Sequence, residues 1–169
     1  MTRYGMLINT KKCVGCSACR IACQMKNHLD PEESFIKYHE IETGEYPNVY
    51  NEIVPTQCMH CEDAPCVAVC PTGAAYIGAD GIVGVDHGRC IGCLYCMAAC
   101  PYQVRVRNEE TGAVDKCRFC TVSAETTGAK MCSCVEACLT GARMFGDLDD
   151  PDSEINQACL LYTSDAADE

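Results

Sequence analysis

Short segments of alternating apolar and polar residues separate the cysteine-rich stretches of this chain. Residues 4–9 and 51–57 each show the alternation of a strand and lead into a group of cysteines. Residues 74–86 and 104–116 each contain two such segments around a turn with glycine, which is the pattern of a β-hairpin. The hydrophobic pattern therefore predicts several short strands and no long one.

Helical signals are equally short. Residues 17–28 and 93–100 favour short helical turns that carry cysteines. Residues 27–49 are polar, contain no cysteine and predict the longest loop of the chain.

The apolar residues are too few for an ordinary core. Leu, Ile, Val and Phe together number 31 of 169 residues, about 18%, which is below the roughly 20% at which an acidic chain is expected to be disordered. The 18 cysteines indicate that bound metal or disulfides replace part of the core. Disulfides are disfavoured, because the chain opens with neither a signal peptide nor an adjacent arginine pair.

Charge and hydropathy exclude several classes of partner. The net charge of −11 argues against nucleic acid as a partner. No stretch of about 18 apolar residues is present, so we expect no direct membrane span. No phosphate-binding loop, nucleophile elbow or carboxylate pair is present either, and we expect no catalytic residue and no substrate chemistry of the chain's own.

Residues 159–169 resemble the translation of a sequencing adapter, a laboratory oligonucleotide, and not a protein segment. On this interpretation residues 1–158 form one domain, the natural C-terminus is missing, and Cys159 is not a ligand. The alternative is an ordinary acidic tail.

The chain is internally duplicated, and each copy carries two cysteine motifs. The repeats pair 12–23 with 89–100 at an offset of 77, 66–78 with 134–146 at an offset of 68, and 58–61 with 117–120.

Sixteen cysteines fall into four motifs of four. The motifs are Cys13, Cys16, Cys19 and Cys23; Cys58, Cys61, Cys66 and Cys70; Cys90, Cys93, Cys96 and Cys100; and Cys117, Cys120, Cys134 and Cys138. The first and third have the spacing of bacterial ferredoxins, in which three thiolates bind one cluster and the fourth binds another. Gly15 and Gly92 lie inside these loops, where a side chain would crowd the cluster. The sequence therefore predicts four [4Fe–4S] clusters. Zinc, which prefers two separated pairs of ligands, and a disulfide scaffold remain as alternatives.

Residues 116–142 contain five cysteines, one more than a cluster needs. The offset of 68 places Cys134 on Cys66 and Cys138 on Cys70, and it leaves Cys132 opposite Ala64. We therefore predict that Cys132 is not a ligand. It is then either a small, partly buried side chain or a spare ligand.

His60 lies inside a ligand loop. It either tunes the cluster through a hydrogen bond or is simply solvated.

The motifs resemble a known family. QCMHCEDAPCVAVCPTGAAY (57–76), RCIGCLYCMAACPYQVR (89–105) and GARMFGDLDDPDSE (141–154) are similar to the four-cluster ferredoxin-like subunit of molybdopterin oxidoreductases, such as the dimethyl sulfoxide, thiosulfate/polysulfide, tetrathionate and arsenate reductases. The resemblance covers residues 3 to 157. It implies an α+β fold of two fused bacterial-ferredoxin-like halves, each with two [4Fe–4S] clusters, short helices, small β-hairpins and long loops.

The resemblance also implies how the motifs pair, the first with the fourth and the second with the third. The implied ligand sets are Cys13, Cys16, Cys19 with Cys138; Cys117, Cys120, Cys134 with Cys23; Cys58, Cys61, Cys66 with Cys100; and Cys90, Cys93, Cys96 with Cys70.

The function implied by the resemblance is electron transfer. Single electrons would pass between an integral membrane quinol-interacting subunit and a molybdopterin catalytic subunit, on the periplasmic face after co-export with a partner or on the cytoplasmic face of the membrane. The alternatives are a relay subunit of a hydrogenase or formate dehydrogenase complex and, more remotely, a zinc-organised interaction module.

Overall fold

The computed structural model describes residues 3–120 and 132–165. All sixteen predicted ligands and Cys132 lie within these ranges. Of the segment 159–169, residues 166–169 lie outside them.

The secondary structure consists of short elements between cysteine loops. The strands are β1 Tyr4–Ile8, β2 Lys37–Glu45, β3 Asn48–Thr56, β4 Ala75–Ile77, β5 Val83–Val85, β6 Val106–Arg107, β7 Val114–Asp115 and β8 Arg143–Asp147. The helices are α1 Ala18–Asn27, α2 Pro65–Ala68, α3 Tyr95–Ala98, α4 Ser133–Glu136 and α5 Glu154–Asp165, with a 3-10 turn at Thr10–Lys12.

The strands form two-stranded antiparallel sheets, paired β1–β8, β2–β3, β4–β5 and β6–β7. In the first of these, Tyr4 pairs with Asp147 and Ile8 with Arg143. This pairing joins the beginning of the chain to its last motif, and α1 packs against α4 beside it. The second motif precedes the β4–β5 hairpin, the third lies between this hairpin and β6–β7 in the chain, and α2 packs against α3. The α+β prediction of short helices and small hairpins is thus confirmed.

The prediction of a long loop over residues 27–49 was wrong for residues 37–45. These residues form β2, which pairs with β3 over its whole length, from Lys37 opposite Thr56 to Glu45 opposite Asn48. Eight of the nine residues of β2 are exposed and only Tyr38 is half-buried, so the ribbon needs no apolar face and the strand leaves no alternating pattern in the sequence. The Tyr46–Pro47 peptide in the turn is cis.

Cysteines make up half of the main buried cluster. Its members are Cys19, Cys23, Phe35, Ile36, Ile82, Val106, Cys117, Phe119, Cys132 and Cys134. The small aliphatic content is therefore concentrated around the cysteine motifs.

Within residues 3–120 and 132–165, no helix has both the length and the apolar character needed to cross a membrane.

Candidate metal centres

The motif cysteines line four separate small spaces of similar size. We name these spaces by the motif cysteines that line them. Site A has Cys13, Cys16, Cys19 and Cys138; site B has Cys23, Cys117, Cys120 and Cys134; site C has Cys58, Cys61, Cys66 and Cys100; site D has Cys70, Cys90, Cys93 and Cys96. Each site combines three cysteines of one motif with the remaining cysteine of another.

The four sites suit [4Fe–4S] clusters in number and type of donor. A cluster of this type takes four thiolates, one for each iron. None of these sixteen cysteines forms a disulfide bond. Among the described residues, no group of three or more His, Cys, Asp or Glu side chains converges closely enough to hold a single metal ion.

Glycine lets the ligand loops of sites A and D pass close to neighbouring segments. Gly15 and Gly92 have φ values of 64° and 66°, which disfavour a side chain. A Cβ on Gly15 would collide with Ile53 of β3, and one on Gly92 would lie 2.6 Å from the carbonyl oxygen of Gly112. The positive φ values and these close neighbours account for glycine at both positions, while the crowding of a cluster by a side chain stays a prediction.

Sites A and D lie nearest to solvent. Cys16 of site A and Cys93 of site D are exposed. Beside them, Val14 and Ile91 are 64% and 66% exposed, and the offset of 77 makes them equivalent positions of the repeat. In contrast, Cys23, Cys117 and Cys134 of site B are buried.

Burial dominates the chemistry of three of the four motif thiols of site B, all except Cys120. It raises the pKa of Cys23 to about 12 and that of Cys134 to about 11, and it raises the pKa of Cys117 as well. Binding a metal here therefore requires the loss of protons from thiols that would otherwise keep them.

Backbone amides four or five residues further along the chain reach the lone cysteines of sites D and A. The amide of Ala75 donates to Sγ of Cys70 at 3.4 Å, and that of Ala142 donates to Sγ of Cys138 at 3.2 Å. Burial alone would raise the pKa of both thiols, but hydrogen bonds from these amides and the nearby threonines lower it. The Cys-x-Thr-Gly-Ala turn thus prepares a thiolate at both sites.

The fifth cysteine of the last motif lies beside site B. Cys132 is buried, lines the same space, and donates from Sγ to the carbonyl oxygen of Phe119 at 3.1 Å. It is the N-cap residue of α4, as Ala64 is of α2. The repeat alignment that placed Cys132 opposite Ala64 therefore agrees with the fold.

Two equivalent loops meet between sites B and C. His60, in the Cys58–Cys61 loop, and Phe119, in the Cys117–Cys120 loop, have ring centroids 4.0 Å apart. Nδ1 of His60 accepts a hydrogen bond from the amide of Val83 at 3.1 Å. Burial, together with the positive charges of Lys116 and Arg105, lowers the pKa of His60 to about 3. Of the two earlier alternatives for His60, the solvated side chain is wrong.

Three buried cations lie beside the sites, and the motif analysis missed them. They are Arg105, Lys116 and Arg143. Arg105 and Arg143 each stand five residues after the fourth cysteine of a motif, Cys100 and Cys138. That shared position is the sequence signal that could have found the two arginines.

A larger space of about 770 Å³ lies between β1, the Cys58–Cys61 loop and α5. Cys159 lines this space, and it does not line any of the four sites.

Two protein families, both described as 4Fe-4S dicluster domains, match the chain, one over residues 49–148 and the other over residues 12–74. Two dicluster domains hold four [4Fe–4S] clusters, which confirms the predicted cofactors.

Curated relatives extend the match over nearly the whole chain. A tetrathionate reductase subunit of Salmonella typhimurium is 42% identical over 95% of this chain and 63% of its own length. The thiosulfate reductase electron transfer subunit PhsB of Salmonella typhi is 45% identical over 92% of this chain and 80% of its own. A polysulfide reductase chain of Wolinella succinogenes is 41% identical, with coverages of 92% and 82%. The present sequence thus spans somewhat less than two thirds of the tetrathionate reductase subunit and about four fifths of the other two. With its four cysteine sites, the protein belongs to the 4Fe-4S dicluster family of iron–sulfur reductase subunits that includes these three relatives.

Proposed function

We propose that this chain relays single electrons between a membrane subunit that oxidises a quinol and a catalytic subunit that carries molybdopterin. The observation that carries the proposal is the arrangement of the four sites. Site A and site D each have one exposed cysteine, Cys16 and Cys93, whereas three of the four motif cysteines of site B are buried and those of site C are half-buried.

Contacts between the sites support the order A, B, C, D. Arg143 lines site A and acts electrostatically on Cys23 and Cys134 of site B. The rings of His60 and Phe119 connect the loops of sites B and C. Arg105 lines both site C and site D. Bound clusters supply the one-electron carriers, and the chain holds their thiolates in a row that begins and ends near solvent.

We propose that the four cysteines of each site are the cluster ligands. This assigns sixteen ligands and leaves Cys132 and Cys159 outside the set. Three cysteines of one motif and one from another then cross-link distant loops at every site, in the manner of ferredoxins.

The two ends of the row are the proposed contact points for the partners. Val14 and Ile91 are exposed apolar residues beside Cys16 and Cys93, and apolar side chains of this kind suit the buried core of a protein interface. Docking over them would bring a partner's cofactor close to site A or site D and would exclude water there. The complex would lie against the cytoplasmic membrane, on its periplasmic or its cytoplasmic face.

The test is isolation of the complex from anaerobic cells by a tag on this chain. We expect a molybdopterin subunit and a polytopic membrane subunit to co-purify, and added quinol to bleach the visible absorption of the clusters. Val14→Glu and Ile91→Glu should each release a different partner and leave the iron content unchanged. Release of the same partner by both variants would contradict the two-ended relay, and co-purification of a hydrogenase large subunit would support the hydrogenase alternative instead.

A further inference from the structure

Three cations are buried beside the cysteines of this acidic protein. The net charge is −11, yet Arg105 and Arg143 are each only 3% exposed and Lys116 is fully buried at 0%. Burying a charge costs free energy unless an opposite charge lies close by. The groups around each of these three side chains therefore indicate which negative charges offset the cost of burying it.

Arg105 lies between sites C and D. Its side chain lines both spaces, and Nη2 donates to Sγ of Cys66 in site C at 2.8 Å. On the other side, it lines site D together with Cys90 and Cys96. Nη1 is buried and has no acceptor among the described residues.

Arg143 takes the corresponding place between sites A and B. It lines site A, and the side chain of Gln57, which its guanidinium reaches, lines site B. Nη1 donates to Oε1 of Gln57 at 2.7 Å, while Nη2 is buried without an acceptor in the described part of the chain. Both arginines thus keep one unpaired donor next to a group of cysteines, an arrangement that is costly without a nearby anion.

Lys116 lies between sites B and C. Its Nζ donates to the carbonyl oxygen of Cys117 at 2.7 Å. The thiols with which it interacts most strongly are Cys58 of site C and Cys117 of site B. The row of sites therefore has one buried cation at each of its three junctions.

We propose that the buried charges of Arg143, Lys116 and Arg105 each raise the reduction potentials of the two neighbouring clusters. Reduction by one electron adds one negative charge to a cluster and changes no bond, so a fixed positive charge stabilises the reduced form. The effect is large in a buried site, because the interior screens charge much less than water does. A cation at each junction also offsets the repulsion between neighbouring reduced clusters. This inference rests on the proposed ligand sets but not on the identity of the partners.

The test compares midpoint potentials in variants of the cluster-loaded chain, by redox titration followed with electron paramagnetic resonance. Arg105→Gln should lower the potentials of two clusters, and Arg143→Gln should lower those of the other two. Because the two variants should lower different pairs of potentials, the test needs no prior assignment of the paramagnetic resonance signals to individual clusters. Arg107→Gln is the matched control, because it removes the same charge from an exposed position two residues away, and its four potentials should stay at the wild-type values.

A second variant separates charge from hydrogen bonding. Arg105→Lys keeps the charge and should stay closer to the wild-type potentials than Arg105→Gln. Unchanged potentials in both Gln variants, or an equal shift in Arg107→Gln or Arg105→Lys, would overturn the proposal. If both Gln variants lose iron, the charges serve cluster assembly and the proposal is wrong as well. A wild-type chain that holds zinc in place of iron would instead refute the proposed function.

Discussion

The phenol oxygen of Tyr38 lies 3.0 Å from Sγ of Cys19, at the point where the β2–β3 hairpin meets site A. Ile53 and Pro55 of the opposite strand also approach this site, Ile53 against Gly15 and Pro55 in the lining. The base of the hairpin therefore covers one face of site A, while its far end, with Tyr46, is exposed. The hairpin is thus part of the environment of a cluster and not a surface addition.

Removing this hydroxyl should lower the reduction potential of one cluster. In Tyr38→Phe the cysteine sulfur loses its donor, and hydrogen bonds to cluster sulfurs stabilise the reduced, more negative form. We expect four clusters with one lowered midpoint potential, measured by redox titration with paramagnetic resonance detection. Tyr50→Phe, which removes a hydroxyl from the exposed part of the same hairpin, should change none of the four. Equal shifts in both variants would show that the hydroxyl of Tyr38 has no specific role.

The spacing of the cysteines allowed the four sites to be predicted from the sequence. The residues that surround the sites could not be predicted in the same way. Local signals identified the strand β1. They also identified the glycines of the ligand loops and the equivalence of Ala64 and Cys132. The shared position five residues after Cys100 and Cys138 is a local signal for Arg105 and Arg143, but nothing local shows that Lys116 will be buried. Burial of such charges is decided by distant parts of the chain that the cysteine sites bring together. The same holds for the contact between His60 and Phe119, which depends on how two separate loops meet.

Metal content gives a direct check of the cofactors. Protein reconstituted without oxygen should contain about sixteen irons and about sixteen acid-labile sulfides per chain, as expected for four [4Fe–4S] clusters. Stoichiometric zinc with little iron in chemical analysis would contradict this expectation.

Removal of the clusters should remove the cooperative fold. Half of the main buried cluster is cysteine, so little apolar packing remains to offset the loss of chain entropy. We expect the iron-free chain to show no cooperative thermal transition by circular dichroism, and the loaded chain to show one. A sharp and reversible melt of the iron-free chain would show that the aliphatic residues suffice.

Truncation after Ala158 should leave all four clusters in place. Helix α5 is held at its beginning, where Oγ of Ser153 donates to the carbonyl oxygen of Asp147 at 2.6 Å and the buried Ile155 packs beside Gly146. These anchors lie before the segment 159–169, which we propose to be foreign to the natural chain. Iron analysis of the truncated protein should match that of the full chain. As a control, truncation after Asp152 removes Ile155 and should destabilise the loaded protein by about 2–5 kcal/mol, by analogy with the loss of a large buried side chain. Loss of one cluster on truncation after Ala158 would instead make Cys159 a ligand.

The last prediction concerns the two cysteines that flank Ser133. Cys132 and Cys134 both line site B, so the lining alone does not tell which of them binds iron. Cys132 occupies the N-cap position of α4, and its Sγ donates to the carbonyl oxygen of Phe119. Cys134 is the repeat equivalent of Cys66, which lines site C. The equivalence assigns the ligand role to Cys134 and a packing role to Cys132.

Replacement by serine separates these roles. Cys132→Ser should keep about sixteen irons and cost at most about 1–2 kcal/mol, because a hydroxyl can make the same hydrogen bond. Cys134→Ser should lose the cluster of site B, since oxygen replaces one of its four thiolates. The readouts are iron content and the paramagnetic resonance spectrum of the reduced protein. Cys138→Ser serves as a second control and should disturb site A instead, with site B unchanged. If Cys132→Ser loses a cluster while Cys134→Ser retains all four, Cys132 is the ligand and the repeat alignment is wrong at this position.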